Sequence, residues 1–212
     1  MTNLSVKPEV VRRVHSYIDP GQLALDLETL RGKCLQSGAS DAAVIQKETI
    51  VFNTEILKKV ASDNQFPSIH WPLNYPKDDL EEAINAYQWA VFFKIDVDDT
   101  FIDYGGGPIA GDTHRKLFEK IYEIVTIVES SGFYMGYHLS LGLGAGNCRA
   151  VFCPDEKRCW PMLKGKTCIR PNMGRPSMEA AGIDASAVAE KLNWFLPGNN
   201  SFPILAGLVL IV

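Results

Sequence analysis

Apolar and polar positions beyond residue 40 fall into runs that switch between strand and helix periods. Asp41 to Asn53 (DAAVIQKETIVFN) is rich in β-branched and small apolar residues and predicts one or two short strands. Asp78 to Trp89 (DDLEEAINAYQW) starts on acids suited to a helix N-terminus and spaces Leu80, Ile84 and Tyr87 at helical intervals. Ala90 to Val97 (AVFFKIDV) is a short, largely apolar run that reads as a buried strand. A longer helix is expected over Asp112 to Ser130. Asp112 or Thr113 can cap it, Leu117, Ile121, Ile124, Val125 and Val128 form its apolar stripe, and Gly132 is placed to end it.

Phe133 to Leu143 predicts a further strand, after which Gly142, Gly144 and Gly146 loosen the backbone and the texture of the chain changes. Ser177 to Ala181 and Ala185 to Trp194 predict two short helices divided at Gly182, the second capped by Asp184. The apolar tail Pro203 to Val212 is too short to span a bilayer and predicts a strand that closes the sheet. The expected fold class is therefore α/β or α+β: a mixed sheet with flanking helices, and a Cys-rich metal-binding segment inserted before the last helices and the final strand. One domain is expected over residues 1–212, with a sheet and helix core at 1–146, the Cys-rich segment at 147–176, and the closing helices and strand at 177–212.

A chain of 212 residues with 46% hydrophobic and 22% charged content can build a core without help from metals or disulfides, since folding at this size buries about 70% of the unfolded surface. A metal site in it should have a task or stiffen one region. A net charge of -4 and a pI near 5.6 speak against nucleic acid as a partner. The start, Met1 to Pro8, lacks the basic, apolar and small-residue stretches of a secretory signal, and no uninterrupted apolar run reaches the length of a membrane span. A cytoplasmic location away from the membrane is expected. Five cysteines, an odd number, then point to thiol or metal chemistry rather than a disulfide framework.

Four of the five lie within 21 residues, at Cys148, Cys153, Cys159 and Cys168, spaced C-x4-C-x5-C-x8-C. Pro154, Pro161, Gly165 and Pro171 supply turns that let the thiols converge on one centre. Soft thiolates select zinc, copper(I) or iron–sulfur clusters. Structural zinc sites favour C-x2-4-C knuckles, and no gap here is C-x2-C. Iron–sulfur sites accept more varied spacing and often carry proline beside a ligand, as in Cys153-Pro154; glycine-rich turns such as Gly142-x-Gly144-x-Gly146 can offer N–H groups to the sulfides. One iron–sulfur cluster of the 4Fe-4S type is the favoured occupant, with zinc the alternative. From Cys148 to Arg175 seven cations face only Asp155 and Glu156, an excess of five in an acidic protein. Nearby cations lower thiol pKa values and offset the charge of a thiolate-ligated centre.

The run Cys168 to Asp184 (CIRPNMGRPSMEAAGID), preceded by clustered cysteines and followed by a short helix and an apolar strand, resembles a prokaryotic family of predicted metal-binding proteins, domain of unknown function 2284. The resemblance runs from about Asp78 to Val212 and is most specific in R-P-S-M-E-A-x-G-I-D. It implies metal or iron–sulfur binding at Cys148, Cys153, Cys159 and Cys168, and no known reaction. The family pattern carries a second cysteine group ending in C-P-P before the helix at Asp78. Here Phe66 to Pro76 (FPSIHWPLNYP) has no cysteine, which weakens any role that needs two clusters.

Other candidates have plainer readings. His70 could replace a lost ligand but reads first as a packed histidine, His114 as a solvated residue in the first turn of a helix, and His138 as a neighbour of the centre at one remove. Cys34 is an isolated thiol. Gly105 to Gly107 fit neither a P-loop nor a dinucleotide fingerprint, and Asp96, Asp98, Asp99 and Asp103 lack the glycine and glutamate of an EF-hand loop. Three functions remain. One is single-electron transfer to a protein redox partner or larger complex, docked on a basic lip of Arg149, Lys157, Arg158 and Lys164. Another is a non-catalytic subunit pinned by its metal. The weakest is an enzyme with an open coordination position.

Overall fold

Two strands that are apolar at nearly every position must be covered on both faces, and that requirement organises the fold. The computed structural model describes residues 18–62, 80–97, 111–156, 159–160, 166–194 and 204–212. In chain order the elements are α1 (Pro20–Gln36), β1 (Asp41–Gln46), α2 (Thr54–Ser62), α3 (Leu80–Asn85), β2 (Trp89–Asp96), α4 (Gly111–Tyr134), β3 (Leu141–Leu143), α5 (Cys148–Phe152), α6 (Ala185–Lys191) and β4 (Ile204–Leu210). The strands form one sheet in the order β1-β2-β4-β3.

Each ladder is antiparallel, with Phe93 opposite Ala42 on β1 and Gly207 on β4, and Leu208 opposite Leu143 on β3. The fold is thus of the α+β kind, and parallel pairing among the described residues is confined to the isolated bridge between Gly144 and Ser177. Alternation along the central strands divides the core. Val91, Phe93, Leu205 and Val209 pack with Leu27, Leu30 and Cys34 of α1 and with Phe118, Ile121, Tyr122, Val125 and Val128 of α4. Ala90, Phe92, Ala206 and Leu208 pack the other way, with Ile84, Tyr87, Met178, Ile183, Val188 and Ala189. Burying each of these larger side chains is worth about 1.5–3 kcal/mol.

Several boundaries differ from expectation for identifiable reasons. Strand β2 begins at Trp89 because the helix before it stops at Asn85. The tail strand lies between β2 and β3 instead of closing an edge. Asp41 to Asn53 gives one strand, a 3-10 turn at Lys47–Thr49 and an isolated bridge from Phe52 to Ile183. Ser177 to Ala181 contributes only the 3-10 turn Glu179–Ala181. Helix α4 runs through Gly132 to Tyr134. A side chain at Gly132 would come within 2.6 Å of Ser140 Oγ, so that glycine serves close packing, and the left-handed turn falls at Gly136 with φ 101°. The β-formers Phe133, Tyr134 and Tyr137 are consequently spent on the helix end and turn, and only Leu141–Leu143 pairs as strand. Helix α1, capped by Asp19 and started by Pro20, covers the sheet on the α4 side. No described helix is long and apolar enough to cross a membrane.

Burial pushes the Cys34 thiol up to about 12, against a smaller lowering by its backbone hydrogen bond and Arg31. Below pH 9 the thiol keeps its proton folded or unfolded; between about 9 and 12 only the folded chain keeps it, so stability falls as pH rises through that window. Urea unfolding should show Cys34→Ala losing about 2 kcal/mol less than the wild type between about pH 8 and about pH 10.5. Equal losses in the two proteins would remove Cys34 as the source.

Candidate metal centre

The Cys-rich segment starts where β3 ends and returns to the same place. Gly144 donates its N–H to the Pro176 carbonyl at 2.8 Å, and Met178 donates to the Gly144 carbonyl at 2.9 Å. Around this bridge the residues of R-P-S-M-E-A-x-G-I-D act as clamps. Arg175 places Nε and Nη2 on Glu129 Oε2 of α4 at 2.8 and 2.5 Å, while Glu129 Oε1 accepts from Gly142 at 2.9 Å. Glu179 Oε2 accepts from Gly146 at 3.3 Å. Burial of its carboxyl raises the Glu179 pKa against hydrogen bonds from its own backbone, Ser177 and Gly146, although part of the residue reaches the surface. Gly182 turns left-handed with φ 73°, its carbonyl accepts from Asn53, and Asp184 caps α6.

The three alternate glycines have a packing role as well. Side chains at Gly142, Gly144 and Gly146 would collide with Val125, Tyr122 and Phe118 in turn. A period-two row of glycines running out of β3 thus faces a helical row on α4, and the helix sits closer than any side chain would allow. Their N–H groups go to Glu129, Pro176 and Glu179, which engages all three within the protein frame. Cys168 Sγ instead accepts from the N–H of Arg170 at 3.3 Å.

Asn147 caps the short helix α5 by accepting from Arg149 N at 2.9 Å, which seats Cys148 in its first turn and Cys153 at its end. Cys148, Cys153, Cys159 and Cys168 all line one cavity of about 20 Å3, together with Arg149, Arg170, Phe152 and Trp160. That is room for a body about the size of one water. Cys148 and Cys159 are buried, Cys153 and Cys168 half-buried. Burial raises the Cys153 thiol pKa, and Cys168 raises it further; Arg170 and Arg149 pull it down. Behind the cavity the Tyr122 hydroxyl donates to the Gly146 carbonyl at 3.3 Å; burial, then Cys148 and Glu179, hold its pKa well above the usual value, so it stays a neutral donor.

No three His, Cys, Asp or Glu side chains among the described residues stand close enough to close on an ion. The four cysteines share a cavity with room for a water-sized body only, so loading a centre there requires its walls to rearrange. The donor set fits a soft metal or cluster in type and number, and one enclosed polar atom at the cavity, Arg149 Nε, lacks a hydrogen-bond partner.

Other expected residues scatter. Cys34 is buried on α1, apart from the cavity. His138 is exposed, edge-on to Phe133 at 5.0 Å, and does not line the cavity; His114 is half-buried rather than solvated. Asp96 pairs with Lys94 at 2.6 Å. His70, Gly105 to Gly107, Asp98, Asp99, Asp103, Lys157, Arg158 and Lys164 lie outside the described residues. Glu129 and Tyr122 escaped the sequence reading, since a helix stripe shows that a residue is buried or exposed and not which glycine it meets.

A family model described as predicted metal-binding protein (DUF2284) matches residues 43–211. No curated protein and no solved structure matches the chain.

The clamp has a measurable stake in stability. Arg175 and Glu129 side chains are only 17% and 16% exposed, so Arg175→Met should cost roughly 2–3 kcal/mol in chemical denaturation by leaving the carboxylate short of a charged donor. Combining it with Glu129→Gln should cost less than the two changes summed. Strict additivity would mean the pair is not coupled.

Proposed function

The chain belongs to the family of predicted metal-binding proteins DUF2284, and on that footing we propose that Cys148, Cys153, Cys159 and Cys168 together hold one iron–sulfur cluster of the 4Fe-4S type. The observation that carries this reading is the shared cavity lined by all four thiols and by two arginines. The C-x5-C and C-x8-C gaps exceed zinc-knuckle spacing and support a cluster, and the donor from Arg170 to Cys168 Sγ is of the kind that tunes such centres. Bound there, the cluster supplies reversible one-electron chemistry. The chain's own part is to hold the thiolates, supply counter-charge through Arg149 and Arg170, and exclude water on the inner side with Cys148, Val151 and Phe152.

The role we propose for this centre is electron transfer to a protein redox partner or larger complex, and its support is that the outer thiols, Cys153 and Cys168, are only half-buried. A second reading, a zinc or cluster that only pins the segment, draws its support from the clamps that close the segment's base.

Anaerobically purified protein separates the two. The cluster reading expects visible absorption and about four irons with matching sulfide per chain; about one zinc without colour supports the pinned subunit. Cys153→Ser or Cys159→Ser should abolish incorporation and make the segment protease-sensitive, while Cys34→Ser should do neither. Metal lost only in the Cys34 variant would overturn the ligand assignment.

A further inference from the structure

Arg149 follows Cys148 directly and lines the same cavity. Nη1 donates to the Glu156 carbonyl at 2.5 Å, which ties the side chain across the turn after α5. Nε is enclosed and has no hydrogen-bond partner. A buried N–H left unpaired costs about 1–3 kcal/mol, and more on a charged group. Carboxylates do not explain the placement, because among the described ion pairs neither Arg149 nor Arg170 has an acidic partner. The cavity that Arg149 lines is walled by four sulfurs.

We propose that Arg149 is a positioning residue for the metal centre, donating its Nε–H to a ligating cysteine sulfur once the centre is loaded. The inference rests on the ligand reading above and adds a role to a residue that the sequence places on a docking lip. Four thiolates around a dipositive core leave two negative charges, and the two guanidinium groups at the cavity match them in number. Arg149 then differs from Arg170 in kind. Arg170 is exposed and reaches Cys168 through its backbone, whereas Arg149 brings a directed side-chain donor to the inner side. A hydrogen bond to a ligating sulfur stabilises its lone pairs and withdraws charge from the metal, which tunes the centre.

Metal-free protein titrated anaerobically with cobalt(II) tests this without the native metal, through the sulfur-to-cobalt charge-transfer band and the affinity. Wild type should show the band. Arg149→Met and Arg149→Lys should each bind roughly tenfold or more weakly, with the band moved to lower energy. The lysine fails to rescue because it restores the charge without Nε. Arg170→Met, which removes counter-charge but keeps the backbone donor to Cys168 Sγ, should weaken binding while shifting the band less than either Arg149 variant. Far-UV circular dichroism of the metal-free variants checks folding, and Arg149→Lys carries the test if Arg149→Met does not fold. Wild-type band and affinity in both Arg149 variants would overturn the proposal, leaving Nε to a water. No thiolate band in the wild type would overturn the ligand reading itself, and this proposal with it.

Discussion

Two backbone hydrogen bonds at Gly144 hold the start and the end of the cysteine segment together, and the site depends on them. With Gly144 bonded to Pro176 and Met178, the chain from Ala145 to Arg175 is a loop closed at its base. The entropy of bringing distant cysteines near one another is therefore met largely by the protein frame. What remains for metal binding is to order the interior of a loop whose ends are already fixed. A centre built this way can be lost without the sheet coming apart, because the sheet's own core lies in the two apolar layers about β2 and β4.

Helix α4 joins the two levels. Its inner stripe covers one face of the sheet, and Phe118, Tyr122 and Val125 on the same helix pack flush against the three glycines leading to Cys148. Glu129, one turn beyond Val125, then anchors both Gly142 and Arg175. Displacing the helix would move the floor of the cavity, where Cys148 is buried, before it moved the rim, where Cys153 and Cys168 are half-buried. The site thus has a stiff inner side and a more accessible outer one.

What the sequence disclosed follows the range of the interactions. The central strands and α4 were legible because a residue's neighbours in sequence set its period, and the shared cavity of the four cysteines was legible because they are nearly contiguous. Two other kinds of feature were not. Whether Phe133 to Tyr137 forms strand or helix end depends on Gly136 and on Tyr137 reaching Asp26 of α1 at 2.7 Å, a partner more than 100 residues away. Likewise R-P-S-M-E-A-x-G-I-D can be recognised as a string, yet its physical meaning as a set of clamps appears only when Glu129, Gly146 and Asn53 are brought beside it. The central position of β4 is of the same kind, since an apolar strand looks alike wherever it sits in a sheet.

That position bears on how the molecule is made. Strands β2 and β3 never touch as partners; only β4, the last of the four in sequence, joins them. During synthesis, which proceeds at about 5–20 residues per second, the cysteine segment leaves the ribosome before the strand that locks β3 into the sheet. The nascent chain can form the β1-β2 pair and close the loop at Gly144, but its thiols then stand beside an unfinished sheet. Any metal that meets these thiols before translation has passed Leu210 meets a scaffold with its middle strand missing.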